Sequence, residues 1–242
     1  MSSDPYRHLP QLRGKILPAE QSQLRATPER LAFWDAQAHA MGFGAGWRLS
    51  DDLLAASRRA MLARWPAGEP VWIFGYGSLL WDPGFHFEEV RSAEVIGFQR
   101  RFSIRIEIGR GTPERPALML GLEPGGRCRG LAFRIAPDQV ERETAAVWCR
   151  EMLQGHYRPE RHAATTPQGE ISVLVFGTNT EHAQYVGERP LAEAAAIIAN
   201  GHGLIGSNRQ YLESLVTGLD GFGIEEPYLR DLLNAVCRCG VA

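Results

Sequence analysis

The sequence predicts an α+β fold: a small, strongly bent sheet or β-barrel flanked by helices, with a helical extension ahead of it. Strand-like stretches crowd between residues 71 and 135, with one more at 171–176. Helical periodicity dominates after residue 190, and two segments with helix-cap signals precede the first strand. The composition, 44% hydrophobic and 22% charged over 242 residues, is that of a globular chain able to bury a sizeable core. The predicted division is an arm and helical extension over 1–69 and a main domain over 70–242.

In chain order, residues 1–20 carry prolines at 5, 10 and 18 with no sustained apolar period, so they read as a loop or mobile arm. Thr27-Pro28-Glu29 starts a helix: a hydroxyl cap, proline at the first helical position and an acid at the positive dipole end. Gly42, Gly44 and Gly46 end it. Ser50-Asp51-Asp52 starts a second helix with Leu53, Leu54, Ser57, Met61, Leu62 and Trp65 on one face. Val71–Phe74 is a short apolar run, expected as a strand buried on both sides. Residues 92–107 follow, alternating apolar and basic from Phe102 onward. Ala117–Leu122 and Arg129–Ile135 are two further strands, and Glu123-Pro124-Gly125-Gly126 between them predicts a hairpin. Pro137-Asp138 opens a helix that Gly155 terminates. Helices are expected over about 190–200, Ser207–Leu219 and Pro227–Val236.

Composition excludes several functions. A formal net charge of −2 supplies no basic field for nucleic acid and no polybasic membrane patch. The N-terminus lacks the apolar core of a signal peptide, and no run is long enough to span a bilayer. The expectation is a soluble, cytoplasmic protein. Cys128, Cys149, Cys237 and Cys239 make no C-x-x-C pair, so neither a disulfide framework nor a zinc site is expected. The seven histidines show no ligand spacing, and His156 and His162, which flank a loop or strand, read as surface imidazoles. Lys15, in the leader, is the only lysine; that removes Schiff-base and P-loop chemistry, which need a lysine in a built pocket. No cofactor and no metal is expected.

The stretch VWIFGYGSLLWDPGF (71–85) breaks a buried apolar path with Gly75-Tyr76-Gly77-Ser78-Leu79-Leu80. Leu80 stands where a dinucleotide fingerprint needs its third glycine. Tyr76 and Leu80 stand where a nucleophile elbow around Ser78 needs glycines. What fits is a strand-end turn presenting backbone N–H groups to a carboxylate or oxyanion, its glycines permitting positive φ and close approach, with Tyr76 and Leu80 as walls. A plain glycine turn is the alternative. In AAVWCREMLQGHY, Trp148 and Met152 mark the buried side of a helix and Glu151 sits at its boundary, near the negative dipole end. Partial desolvation there raises a carboxyl pKa toward that of a general base. The alternative is a surface glutamate paired with a neighbouring arginine. Arg110, in Gly109-Arg110-Gly111-Thr112-Pro113, could clamp a carboxylate. In Gly206-Ser207-Asn208 followed by Tyr211, a helix cap and a core tyrosine are the plain alternatives.

FGYGSLLW, GRGTPERPALMLGL, CRGLAF, the Arg150–Tyr157 segment and GSNRQYL occur in this order across roughly residues 70 to 233. Together they resemble the ChaC-type, glutathione-specific γ-glutamylcyclotransferases. Ala117 departs from the glycine many members carry after the loop proline. The resemblance implies an intramolecular reaction in which the substrate's α-amino group attacks the γ-glutamyl carbonyl, releasing 5-oxoproline and Cys-Gly without a cofactor. The family's catalytic glutamate maps onto Glu151 and its substrate loop onto Gly75–Leu80, with Tyr157 and Tyr211 as further pocket residues. Arg110 meeting the glycine carboxylate of glutathione is an inference from its chemistry and not part of the resemblance. The alternatives are a cyclotransferase for other γ-glutamyl amino acids or amines, a non-catalytic binding or regulatory protein linked to cation transport, and an esterase using Ser78.

Overall fold

Helix starts follow side-chain chemistry. A computed structural model of the chain describes residues 4–239. Thr27 caps α1 (Pro28–Ala40) by accepting from the Arg30 amide, and Ser50 caps α2 (Asp51–Leu62) by accepting from the Leu53 amide. Each hydroxyl satisfies one of the N–H groups that a helix start leaves unpaired. The face expected for α2 is corrected in part: Leu54 is buried, but Leu53 is exposed and Arg58 turns inward. A 3-10 turn at Pro137–Gln139 leads into α3 (Val140–Glu151), which receives Arg58. Arg58 donates to Thr144 Oγ1 at 3.1 Å and pairs with Glu141 at 2.6 Å, the partners a buried guanidinium requires. Trp148 of α3 donates from Nε1 to Ser57 Oγ at 2.8 Å and lies edge-on to Phe176.

The leader before α1 packs several of its side chains into the structure. It contains only short 3-10 turns at Pro10–Leu12 and Ala19–Gln21, yet Leu12, Ile16 and Ala19 are buried while Lys15 stays exposed. Its apolar residues follow the surface beneath them rather than a helical face, so they show no period.

The strands are β1 (Trp72–Gly75), β2 (Glu89–Ile106), β3 (Ala117–Arg134), β4 (Tyr157–Thr166) and β5 (Gly169–Thr178). They close into a barrel in the order β1-β3-β2-β4-β5, as the bent sheet or barrel predicted from sequence requires. Ile73 of β1 lies opposite Phe133 in antiparallel β3 and opposite Leu174 in parallel β5. A strand with neighbours on both sides and both faces buried must be apolar throughout, and β1 is.

The predicted hairpin at 123–126 is absent. β3 runs unbroken through it, with Gly125 at φ +118° and Gly126 at φ +63°. Glycines at positive φ kink a strand as readily as they reverse it. Here Gln99 Nε2 donates to Pro124 O at 3.3 Å and the exposed kink stays within the strand. β4, left between loop and strand by its polar sequence, pairs with β5 along its whole length, from Tyr157 opposite Thr178 to Thr166 opposite Gly169.

The chain forms two compact units, one of residues up to Gln99 with Pro124–Thr178, the other of Arg100–Glu123 with everything from Asn179. The first holds α1–α3, β1, β4 and β5. The second holds α4 (Leu191–Asn200), the two-residue strands β6 (His202–Gly203) and β7 (Gly206–Ser207), α5 (Asn208–Gly221) and α6 (Pro227–Cys239). Its core is built from Ile198, from Leu212, Leu215 and Leu219, and from Leu229, Leu232 and Val236, each set at helical spacing. No helix among the described residues is long and apolar enough to cross a membrane.

Candidate active site

β1 ends at Gly75, and the chain turns directly into a short 3-10 turn, Ser78–Leu80. Gly75 serves close contact, and neither glycine adopts positive φ, which corrects the sequence expectation: Gly77 has φ −125°, and Gly75 is likewise outside the left-handed region. A Cβ on Gly75 would lie 3.0 Å from the Phe133 ring and 3.2 Å from Leu79 Cβ. From the other side, a Cβ on Gly130 of β3 would lie 2.3 Å from the Gly75 carbonyl oxygen. The tight crossing of β1 over β3 therefore fixes where the turn begins. The amide of Leu80 donates to Gly77 O at 2.9 Å and that of Asp82 to Ser78 O at 2.9 Å. The amides of Gly77, Ser78 and Leu79 meet no acceptor among the described residues. Leu79 and Leu80 are buried, and the Tyr76 hydroxyl donates to Phe176 O at 2.7 Å, tying the turn to β5.

Arg150, in the last turn of α3, organises this region. Its Nη2 donates to Ser78 Oγ at 2.8 Å, and its Nη1 donates to the carbonyls of Asp82 at 2.6 Å and Pro83 at 3.2 Å. Its Nε lies 3.0 Å from Glu151 Oε1. One guanidinium thus spans the strand-end turn, the loop after it and the neighbouring carboxylate, the fork geometry that lysine lacks. Sequence reading missed Arg150 as more than a partner of Glu151; the signal was an arginine beside the boundary glutamate, with carbonyl-rich Trp-Asp-Pro-Gly available.

Glu151 is the last residue of α3, with its side chain 13% exposed. Burial raises its carboxyl pKa above the ordinary value; Arg150 pulls it back and the Asp82 charge pushes it further up. Asp82 is itself buried, with Oδ1 lacking any hydrogen-bond partner and lying 3.9 Å from Arg150 Nη1. Ser78 accepts from a guanidinium rather than facing a base, which is the wrong partner for an activated nucleophile. Tyr157 opens β4 six residues beyond Glu151 and is buried. His156, expected at the surface, is buried as well, because it sits where the chain enters the barrel.

Arg110 and Tyr211 belong to the second unit. The Arg110 guanidinium lies 5.0 Å from the Tyr211 ring centroid and donates to Ser207 O at 3.2 Å. Burial pushes its pKa down, and Tyr211 acts in the opposite sense. Tyr211 in turn lies edge-on to Phe102. Gly203 packs so closely on the Gly109–Gly111 loop that a Cβ would lie 2.4 Å from Gly109 O, and this positions Arg110. Ser207 caps α5 through a full capping box with Gln210. Among the described residues no cluster of histidine, cysteine or carboxylate is arranged to hold a metal ion.

Against known proteins, the model of the family described as ChaC-like protein matches residues 71–239. The chain belongs to the ChaC-like family. The ChaC-like match takes in β1, the Gly75–Leu80 turn, Arg150 and Glu151, and Arg110 and Tyr211. A glutathione-specific γ-glutamylcyclotransferase from Escherichia coli is 39% identical over 183 residues, 75% of this chain and 79% of that protein. γ-Glutamylcyclotransferase 2-1 from Arabidopsis thaliana is 33% identical over 69% of this chain and 82% of its own length. Human glutathione-specific γ-glutamylcyclotransferase 1 is 28% identical over 70% and 80% respectively. The ChaC-like fold is also that of a solved glutathione-specific γ-glutamyl cyclotransferase from yeast, with TM-score 0.64 and 23% identity over 71% of this chain and 97% of that one.

Proposed function

We propose that this protein is a γ-glutamylcyclotransferase that cleaves glutathione to 5-oxoproline and Cys-Gly. The observation that carries it is a desolvated carboxyl, Glu151, tied through Arg150 to a strand-end turn with unpaired amides, in a chain of the ChaC-like family. Its relatives named as acting on glutathione support the same substrate.

The substrate's α-amino nitrogen attacks its own γ-carbonyl carbon; that C–N bond forms, the γ-amide C–N bond breaks, and the ring closes. Nucleophile and electrophile share one molecule, so holding the γ-glutamyl chain folded supplies much of the rate. Glu151 takes the proton from the attacking amine and returns it to the leaving cysteine nitrogen. A carboxyl pKa raised by burial suits both halves of that exchange. Gly75–Leu80 cradles the γ-glutamyl group, with the amides of Gly77, Ser78 and Leu79 as donors to developing negative charge. Tyr157, which opens β4 beyond Glu151, lines the substrate. In the same reading, residues 70–242 carry the reaction, residues 1–69 are an extension to it, and the protein works in the cytoplasm.

Offering glutathione and γ-Glu-Ala in parallel and measuring 5-oxoproline tests the substrate. Turnover of glutathione well above γ-Glu-Ala is expected; the reverse order would move the assignment to other γ-glutamyl compounds, and silence on both would favour a binding role.

A further inference from the structure

Residues 4–25 precede the ChaC-like match, yet they run along the segment that follows the cradle. The Leu17 amide donates to Trp81 O at 2.7 Å, and the Val90 amide donates to Pro5 O at 3.0 Å. Tyr6 lies edge-on to Phe87, and His86 sits between Glu20 of the arm and Glu143 of α3, at 2.5 and 3.0 Å. Arg7 and His8 pair with Glu89, which is fully buried.

The critical contacts lie at Gly84. Arg25 Nη1 donates to Gly84 O at 2.8 Å and to Glu143 Oε2 at 2.7 Å, while its Nη2 reaches Glu143 Oε1 at 3.2 Å. One arginine of the arm therefore joins the loop after the cradle to the helix that carries Arg150 and Glu151. Gly84 is at φ +69°, and a Cβ there would lie 3.1 Å from Arg150 Nη1, 3.3 Å from Ser22 Oγ and 3.5 Å from Arg25 Cα. The loop is thus held between the arm and Arg150, and its carbonyls at Asp82 and Pro83 are the ones that hold Arg150 in place.

We propose that the N-terminal arm is a positioning strap for the catalytic site: Arg25 clamps the Asp82–Gly84 loop to α3, which sets Arg150 against Ser78 and Glu151. Arg25 is a positioning residue, acting through the loop and Arg150 without touching substrate. Arg58 provides the matched comparison. It too is an arginine binding the extension to α3, but at Glu141 and Thr144, away from the loop. A strap that only stabilised α3 would make the two arginines equivalent.

The inference rests on Glu151 as the proton carrier, and its test has a readout independent of turnover. The Glu151 side-chain carboxyl is titrated by carbon-13 NMR in wild type, Arg25→Ala, Arg25→Lys and Arg58→Ala, and kcat and KM for glutathione are measured beside it. Glu151 titrates under Arg150 of its own helix and Asp82 of the loop. Releasing Arg150 removes the influence that lowers its pKa. Arg25→Ala is expected to move the Glu151 midpoint upward and cut kcat about tenfold with KM within twofold, a loss of about 1.4 kcal/mol in transition-state stabilisation. Arg25→Lys, which keeps one donor contact, recovers part of both. Arg58→Ala lowers the melting temperature and leaves midpoint and kcat at wild-type values. An unshifted Glu151 midpoint in folded Arg25→Ala overturns the strap, as does an equal shift in Arg58→Ala. A shifted midpoint in a protein whose wild type makes no 5-oxoproline upholds the strap and overturns the function instead.

Discussion

Glu151 sits between opposed influences: burial and the Asp82 charge favour its neutral form, and Arg150 favours the carboxylate. The balance lies above the ordinary glutamate value. In the proposed role of general base it must be ionised, so activity is expected to rise with pH through its raised pKa. The acidic limb of the kcat/KM profile on glutathione is expected above about 4.5, the ordinary value of a glutamate side chain. A limb at or below that value would mean another group carries the proton. Glu151 was legible in the sequence because Trp148 and Met152 fix the buried face of its helix. Arg150 was not legible, since its partners are Ser78 and two carbonyls nearly seventy residues earlier. No local pattern announces a contact that the barrel creates. The buried His156 escaped for the same reason.

At the scale of elements, helix starts were the most readable feature, because a cap is a short-range interaction: Thr27, Ser50 and Ser207 each accept from the amide three residues on. The strands were harder. Pro124-Gly125-Gly126 has the chemistry of a reversal, yet β3 only kinks there, because turn residues specify backbone angles and not what the flanking segments pair with. β4 carries alternating charges that suit an exposed loop as well as a strand, and its pairing with β5 decided the outcome. The glycine in CRGLAF acquires its reason only in three dimensions. Gly130→Ala drives a methyl group into the Gly75 carbonyl and the Phe74 ring. The strain belongs to the 1–3 kcal/mol range of overpacked cores. An unfolding free energy lowered by about that much, read from a reduced denaturant midpoint, is expected, with diminished turnover because the proposed cradle begins at Gly75; an unchanged midpoint would contradict the tight contact.

Across the whole chain, the α+β barrel class and the order of motifs were legible from sequence, and the extension was legible as helical. Its attachment was not, since the partners of Arg25 and Arg58 lie more than eighty residues away on α3 and no local pattern announces them. Glu143 is fully buried. Burial alone would raise its pKa, but Arg25, the His86 amide, Arg142 and the His86 ring outweigh that and hold it down to about 2. A depressed folded-state pKa gives stability that is present above the unfolded value and lost as pH falls through the folded one. The window is therefore about 4.5 down to about 2, and the contribution is on the order of 3 kcal/mol. Urea midpoints of the wild type should fall across that window, and those of Glu143→Gln should fall less; parallel curves would remove Glu143 from the acid response. The most direct test of the central claim is 5-oxoproline formation from glutathione by wild type and Glu151→Gln, with folding checked by circular dichroism. Robust product from the wild type and nearly none from a folded variant that still binds glutathione is the predicted result. Wild-type turnover by Glu151→Gln would contradict it.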